Sequence, residues 1–177
     1  MREIIIINME NKPDYQALFE KGEKYQEFIK GELNKIGIQI TYTTSRIEQF
    51  TSESKEGIEI KFDDQMKNTG NIYLEFMERT DTNYRWTDSG FRKKDNTWLI
   101  IIGDYTEAFF FSKQTLNDLH VKYTNAHPIL DPSCYGWGDN NNMSRIFDPK
   151  TPTSHGLCIP KNDPLMSTYC IRHIKFN

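Results

Sequence analysis

The chain has 177 residues, of which 37% are hydrophobic, 13% aromatic and 27% charged, and its formal net charge is −3 at pH 7. This composition excludes the fibrous and disordered classes, and the length suits one domain rather than two. The small negative charge excludes a bulk attraction to nucleic acid or anionic membranes, so local basic clusters would have to hold a polyanionic partner.

We expect no export signal. The apolar run at positions 4 to 7 is too short to span a membrane and lacks the cleavage site of a signal peptide. Cys134, Cys158 and Cys170 are an odd number of cysteines at wide spacing, which fits a reducing compartment. We therefore expect no membrane contact and a cytoplasmic location.

In chain order, the segment MREIIII (1–7) suits a strand or a segment packed on the core. A helix is predicted from about Tyr15 to Ile36, because its apolar residues fall on one stripe, and Gly37 suits its C-terminal cap. The segment IQITYTT (38–44) has the β-branched and aromatic content of a strand.

Two further strands, GIEIKFD (57–63) and NIYLEFM (71–77), are predicted to pair as a hairpin through the turn residues Asn68 and Gly70. The apolar runs LIII (99–102) and AFFF (108–111) predict a second hairpin, and KQTLNDLHVKY (113–123) predicts a short amphipathic helix.

Beyond Ala126 the chain changes in character, since six of its seven prolines lie there. We expect an irregular tail, about 124–177, packed on a core of about 15–123, so that 1–177 forms a single domain. The order of elements predicts a mixed α/β (α+β) fold with a largely antiparallel central sheet.

Acidic residues lie within the first predicted hairpin. Side chains alternate across a strand, so Glu59, Lys61 and Asp63 share one face of their strand, opposite Ile58, Ile60 and Phe62. In a hairpin, Asp63 and Glu75 would approach each other across neighbouring strands.

Two carboxylates held close together repel each other unless a cation lies between them. Magnesium accepts one or two protein carboxylates together with phosphate oxygens and waters. Lys61, on the same face, would stabilise developing negative charge or help to activate a metal-bound water. The alternative is that these are exposed charges of an edge hairpin, with Lys61 paired to Glu59 or Asp63.

The order of these elements and their acidic residues resembles the pattern of the PD-(D/E)XK nuclease superfamily. In this pattern a helix carries a Glu, a strand ends in Asp and the next strand carries a Glu. The resemblance implies a restriction-endonuclease-like αβββαβ core over about 15–122 and Mg²⁺ or Mn²⁺ held around a scissile phosphate. It implies metal-binding and catalytic roles for Asp63, Glu75 and Glu23, and Glu20 or Glu27 would replace Glu23 if the helix slipped by one turn.

The chain departs from the family pattern at Met77, where the E-x-K pair would have its lysine. We expect Lys61, on the adjoining strand, to act as the catalytic lysine instead. A second frame takes Glu59 and Lys61 as the E-x-K pair, but no convincing Asp precedes them in the polar segment 45–56. The resemblance extends to short prokaryotic and phage proteins, in segments such as SGFR, NTWLIIIGDY and PTSHG.

The only tight basic triplet, Arg92, Lys93 and Lys94, is the best candidate for nucleic-acid phosphate contacts, and a solvated turn is its alternative. A separate hypothesis is a structural zinc site, because the spacings H-x₂-C and C-x₂-H bring together ligand types that zinc prefers. Its residues are His155, Cys158, Cys170 and His173.

The sequence therefore predicts a metal-dependent nuclease that cleaves phosphodiester bonds of nucleic acid, with DNA preferred over RNA. A homodimer is compatible with this activity, since two sites would meet two strands. The alternatives are an inactive nuclease-fold protein that binds nucleic acid, and a protein-binding inhibitor whose acidic face mimics DNA.

Overall fold

The computed structural model describes residues 15–40, 56–79, 85–126 and 154–176. Its helices are α1 (Tyr15–Lys35), α2 (Met66–Thr69), α3 (Lys113–Ala126) and α4 (Pro164–Tyr169), with a 3₁₀ turn at Gly90–Arg92. Its strands are β1 (Ile58–Phe62), β2 (Asn71–Glu78), β3 (Thr87–Asp88), β4 (Leu99–Gly103), β5 (Glu107–Ser112), β6 (Ser154–Pro160) and β7 (Arg172–Lys175). The fold is mixed α/β.

The first predicted helix is confirmed as α1. Its buried stripe consists of Tyr25, Ile29 and Leu33, which recur every four residues on one face. Just beyond the end of the helix, Gly37 has a left-handed φ of 81°, and the Ile38 N–H returns to the Leu33 carbonyl at 2.9 Å. This is the glycine cap that the sequence predicts.

A four-stranded sheet in the order β1-β4-β5-β7 forms the centre of the fold. The runs LIII and AFFF form the predicted hairpin, with Leu99 opposite Ser112, and β1 runs parallel to β4. Helix α1 covers the face that carries Ile60, Ile101 and Phe110. The opposite face of the same strands packs against the second sheet and α3, so both faces of β4 and β5 are apolar.

The expected hairpin between GIEIKFD and NIYLEFM is wrong. Strand β2 lies in a separate three-stranded sheet in the order β3-β2-β6, and its antiparallel partners are β3 and β6. The segment between β1 and β2 forms the short helix α2, which Gly70 ends with a left-handed φ of 69°. This helix carries the chain from one sheet to the other, which a tight turn would not do.

The expected irregular tail is also wrong for residues 154–176. Strand β6 pairs with β2 over most of its length, and β7 pairs with β5, so this segment adds one strand to each sheet. Of the other predicted segments, 38–40 has no regular structure, while 1–7, 41–44 and 127–153 lie outside the described residues. Within the described ranges, no helix is long and apolar enough to cross a membrane.

Substitution of Leu157 tests whether the C-terminal segment belongs to the core. Leu157 is 1% exposed opposite Leu74, so Leu157→Ala should lower the free energy of unfolding by about 2–5 kcal/mol. Ile171 lies in the same segment but is 59% exposed, so Ile171→Ala should cost about 0.5 kcal/mol or less. Urea unfolding measures both changes, and equal losses would contradict the packing of β6 in the core.

Candidate functional site

A cleft of about 220 Å³ lies between the end of β1 and the middle of β2. It brings together three of the predicted site residues, Lys61, Asp63 and Glu75. The rest of its lining consists of Phe62, Asp64, Gln65, Tyr73 and Ile102. Asp63 and Glu75 therefore share a site although their strands belong to different sheets.

Lys61 is surrounded by carboxylates. Its Nζ lies 3.3 Å from Oε1 of Glu59, two residues earlier on the same face of β1. Burial lowers the pKa of Lys61, but the attraction of Glu59, followed by Glu75 and Glu78, outweighs burial and raises that pKa above its ordinary value. Lys61 is therefore a firmly protonated cation at neutral pH, facing the cleft.

The buried carboxylate of Asp63 joins the two sheets. Its Oδ2 accepts the backbone N–H of Tyr73 at 2.9 Å, and its Oδ1 accepts that of Gln65 at 3.1 Å. Its own N–H donates to the carbonyl of Gly103 at 2.8 Å, at the end of β4.

Glu75 is held by two serine hydroxyls. Ser89 Oγ donates to its Oε1 at 2.8 Å, and Ser154 Oγ donates to its Oε2 at 2.5 Å. The Tyr73 hydroxyl lies 2.7 Å from Ser154 Oγ. Since Ser154 has one hydroxyl proton and gives it to the carboxylate, Tyr73 must be the donor to Ser154. The result is a chain of hydroxyls that ends on Glu75.

Two glycines allow these serines to reach Glu75. Gly90 has a φ of +48°, and a Cβ there would lie 2.0 Å from the carbonyl oxygen of Glu75. Gly156 lies under the Tyr73 ring, where a Cβ would be 2.4 Å from a ring carbon. The segments SGFR and PTSHG therefore supply both a hydroxyl and the close approach that it needs. Both segments stand out in the sequence, but no local pattern predicts this role for Ser89 and Ser154.

Met77 packs against the core rather than lining the cleft. The register of β2 against β6 shifts between Glu75 and Met77. The cation of the cleft comes from β1 instead, through Lys61.

Glu23 is not brought into the cleft. It lies half-buried on α1, which packs on the face of β1 that carries Ile60, whereas Lys61 lies on the opposite face. Glu20 and Glu27, the alternatives on the same helix, do not line the cleft either.

The basic triplet follows the segment that contacts Glu75. Arg92 ends the 3₁₀ turn that begins at Gly90, and its Nε lies 3.3 Å from Oδ1 of Asp88. Lys93 is half-buried and Lys94 is exposed. Gly90 lies against the backbone of Glu75, and the triplet begins two residues after it.

The four residues of the predicted zinc site do not converge. His155 and Cys158 lie on β6 in one sheet, and His173 lies on β7 in the other. His173 Nε2 is 2.7 Å from Oε2 of Glu107, and Cys170 Sγ donates to a backbone carbonyl at 2.9 Å. The hypothesis of a four-ligand zinc site is wrong.

Across the four described stretches, no three His, Cys, Asp or Glu side chains lie close enough to hold a metal ion by themselves. Asp63 and Glu75 nevertheless offer two carboxylates to one cleft. Two carboxylates, completed by phosphate oxygens and waters, are a donor set that magnesium accepts. The residues thus fit a hard cation that binds together with a phosphate-bearing ligand.

Comparison with protein-family models, curated proteins and solved structures gives no match for this chain. The geometry of the cleft is therefore the basis for assigning a function.

Amide substitutions separate the structural role of Asp63 from that of Glu75. Asp63→Asn places an NH₂ group against one of two backbone N–H donors and should lower the free energy of unfolding by about 1–3 kcal/mol. Glu75→Gln should change it by less than about 1 kcal/mol, because the Ser89 hydroxyl can turn from donor to acceptor. Chemical denaturation measures both, and a Glu75→Gln loss as large as that of Asp63→Asn would contradict these hydrogen bonds.

Proposed function

We propose that the protein is a metal-dependent nuclease that cleaves phosphodiester bonds of nucleic acid, with DNA as the preferred substrate. The observation that carries the proposal is that Lys61 lines the same cleft as Asp63 and Glu75. Position 77 holds no lysine, and Lys61 supplies a protonated amine to the carboxylates from β1 instead.

Asp63 and Glu75 would hold Mg²⁺ or Mn²⁺ together with the scissile phosphate. When bound, such an ion supplies Lewis acidity toward a phosphoryl oxygen and lowers the pKa of its water. The hydroxyls of Ser89 and Ser154 hold the Glu75 carboxylate in one orientation, because each donates a hydrogen bond to one of its two oxygens. The Lys61 ammonium stabilises the negative charge that develops on the phosphate in the transition state.

The proposed fold type is a restriction-endonuclease-like αβββαβ core. The chain order of α1, β1, β2, the β4–β5 hairpin and α3 supports it. The separation of β1 and β2 into two sheets departs from the expected single sheet. We therefore base the function on the cleft and not on the fold type.

The second frame, in which Glu59 and Lys61 form the E-x-K pair, is supported by the contact between these two side chains, although Glu59 does not line the cleft. Glu59 lies 3.3 Å from Lys61, and Glu75 contributes to the same electrostatic cluster. In this frame Glu75 provides the carboxylate that the segment 45–56 lacks. Glu59→Gln would then abolish cleavage, whereas in the first frame it would only weaken the environment of Lys61.

Two substitutions in the cleft test the activity. Supercoiled plasmid, single-stranded DNA and RNA are incubated with protein in Mg²⁺ or Mn²⁺, with EDTA as the metal-free control. Glu75→Gln and Lys61→Met should each slow cleavage by about 100-fold or more, because each removes a charge that acts on the transition state. Lys67→Met removes an exposed lysine from α2, which does not line the cleft, and should cleave like the wild type. Wild-type cleavage that both cleft variants retain would overturn the assignment.

A non-cleaving nucleic-acid-binding protein is the second candidate. Both oxygens of Asp63 and both oxygens of Glu75 already accept hydrogen bonds from the protein, which is the arrangement of a purely structural pair. Absence of cleavage by the wild type, with retained binding of nucleic acid, would favour this candidate over the nuclease.

The basic triplet should contribute to binding through phosphate contacts. Replacing Lys93 and Lys94 by Ala should weaken binding to all sequences alike and reduce the slope of log K against log[salt] by about 2, one unit for each lysine. A control with the same charge change, Lys24→Ala with Lys35→Ala on α1, should leave the slope unchanged. Fluorescence anisotropy at several salt concentrations measures the slopes, and equal effects in the two double variants would contradict a role for the triplet.

A further inference from the structure

Two buried oxygen atoms, beside the cleft but not in its lining, lack hydrogen-bond partners among the described residues. Asp104 is 5% exposed, and its Oδ1 accepts hydrogen bonds from the Thr106 N–H, the Thr106 hydroxyl and the Glu107 N–H. Its Oδ2 has no partner within the described residues, and neither has the hydroxyl of Tyr25, which is 0% exposed. Buried polar atoms are rarely left unpaired in folded proteins, so these two point to a missing ligand.

The two residues meet at the carboxyl ends of the parallel strands β1 and β4. Asp104 directly follows β4 and Asp63 directly follows β1, and the Asp63 N–H joins the two ends through the Gly103 carbonyl. The Tyr25 hydroxyl reaches the same place from α1, because a Cβ on Gly103 would lie 2.8 Å from that oxygen. The absence of a side chain at Gly103 thus makes room for the hydroxyl.

The surroundings of Asp104 are negatively charged. The ion pairs of the described lysines, arginines and histidines go to other acids, and none reaches Asp104. Burial, followed by the negative field of Asp104 and then that of Tyr105 and Asp63, raises the pKa of Tyr25, so its hydroxyl stays neutral. A buried carboxylate without a positive partner is costly, and a cation would remove that cost.

We propose that a hard metal cation of the Mg²⁺ or Ca²⁺ class binds at the junction of Asp104 and Tyr25. Asp104 Oδ2 is its charged ligand and the Tyr25 hydroxyl its neutral one. Both donors are oxygens, which is the ligand type that these ions prefer. The proposal does not rest on the nuclease activity, since neither residue lines the cleft.

The role of this cation is structural. Tyr25 belongs to α1 and Asp104 to the turn between β4 and β5, so an ion held by both ties the helix to the central sheet. The same junction holds the backbone of Asp63, which lines the cleft. Binding at Asp104 therefore stabilises the strand end that carries a proposed catalytic carboxylate.

Asp104→Asn tests the proposal with little change to the fold. The amide keeps Oδ1 and its three accepted hydrogen bonds, and replaces only the unpartnered Oδ2 by a neutral NH₂. The melting temperature is measured against MgCl₂ and CaCl₂, with NaCl at matched ionic strength as the control. All proteins carry Glu75→Gln, which weakens ion binding in the cleft.

With Asp104 intact, one of the two divalent salts should raise the melting temperature by about 5 °C or more at saturation, and NaCl should not. Asp104→Asn should abolish this rise, and Tyr25→Phe should shift it to higher ion concentration. A rise of equal size in Asp104→Asn, or no rise with Asp104 intact, would overturn the proposal. If the asparagine variant does not fold, an unchanged midpoint in Tyr25→Phe overturns it. The melting experiment is independent of the nuclease assay, so a wild-type protein that does not cleave nucleic acid would leave the cation proposal standing.

Discussion

The site depends first on the carboxylate of Asp63. It accepts one backbone N–H at the start of α2 and another in β2, while its own N–H is bound to the end of β4. One side chain thus links the three-stranded sheet to the four-stranded sheet at this point, in addition to the apolar core that the two sheets share. Glu75 on β2 and Lys61 on β1 belong to strands that do not pair, and this bridge lies directly between them.

The second constraint is the close approach of two loop segments to Glu75. Carboxylates at a reactive phosphate must be oriented as well as present, and here two hydroxyls fix both oxygens. Gly90 and Gly156 make that approach sterically possible. Met77, two residues beyond Glu75, packs against the core, and the positive charge of the cleft comes from Lys61 on β1.

Local periodicity predicted what depends on neighbours in the sequence. The stripe of α1, its glycine cap, the β4–β5 hairpin and the shared face of Glu59 and Lys61 all follow from residues within a few positions of each other. The parallel pairing of β1 with β4 joins segments some 40 residues apart, and β6 reaches β2 from much further along the chain. No tight turn joins either pair of strands, so no local sequence signal predicts these pairings. Ser154 reaches Glu75 because β6 pairs with β2. The hydrogen bond between these two residues could therefore not be predicted from local sequence patterns.

The central claim is that the cleft holds a metal ion and a phosphodiester between Asp63, Glu75 and Lys61. Anomalous scattering from crystals grown with Mn²⁺ and a short, non-hydrolysable phosphorothioate oligonucleotide tests it most directly. The account predicts an anomalous peak about 2.0–2.2 Å from carboxylate oxygens of both Asp63 and Glu75, with a backbone phosphate beside the Lys61 ammonium. A nucleotide bound elsewhere, with no anomalous peak in the cleft, would contradict it.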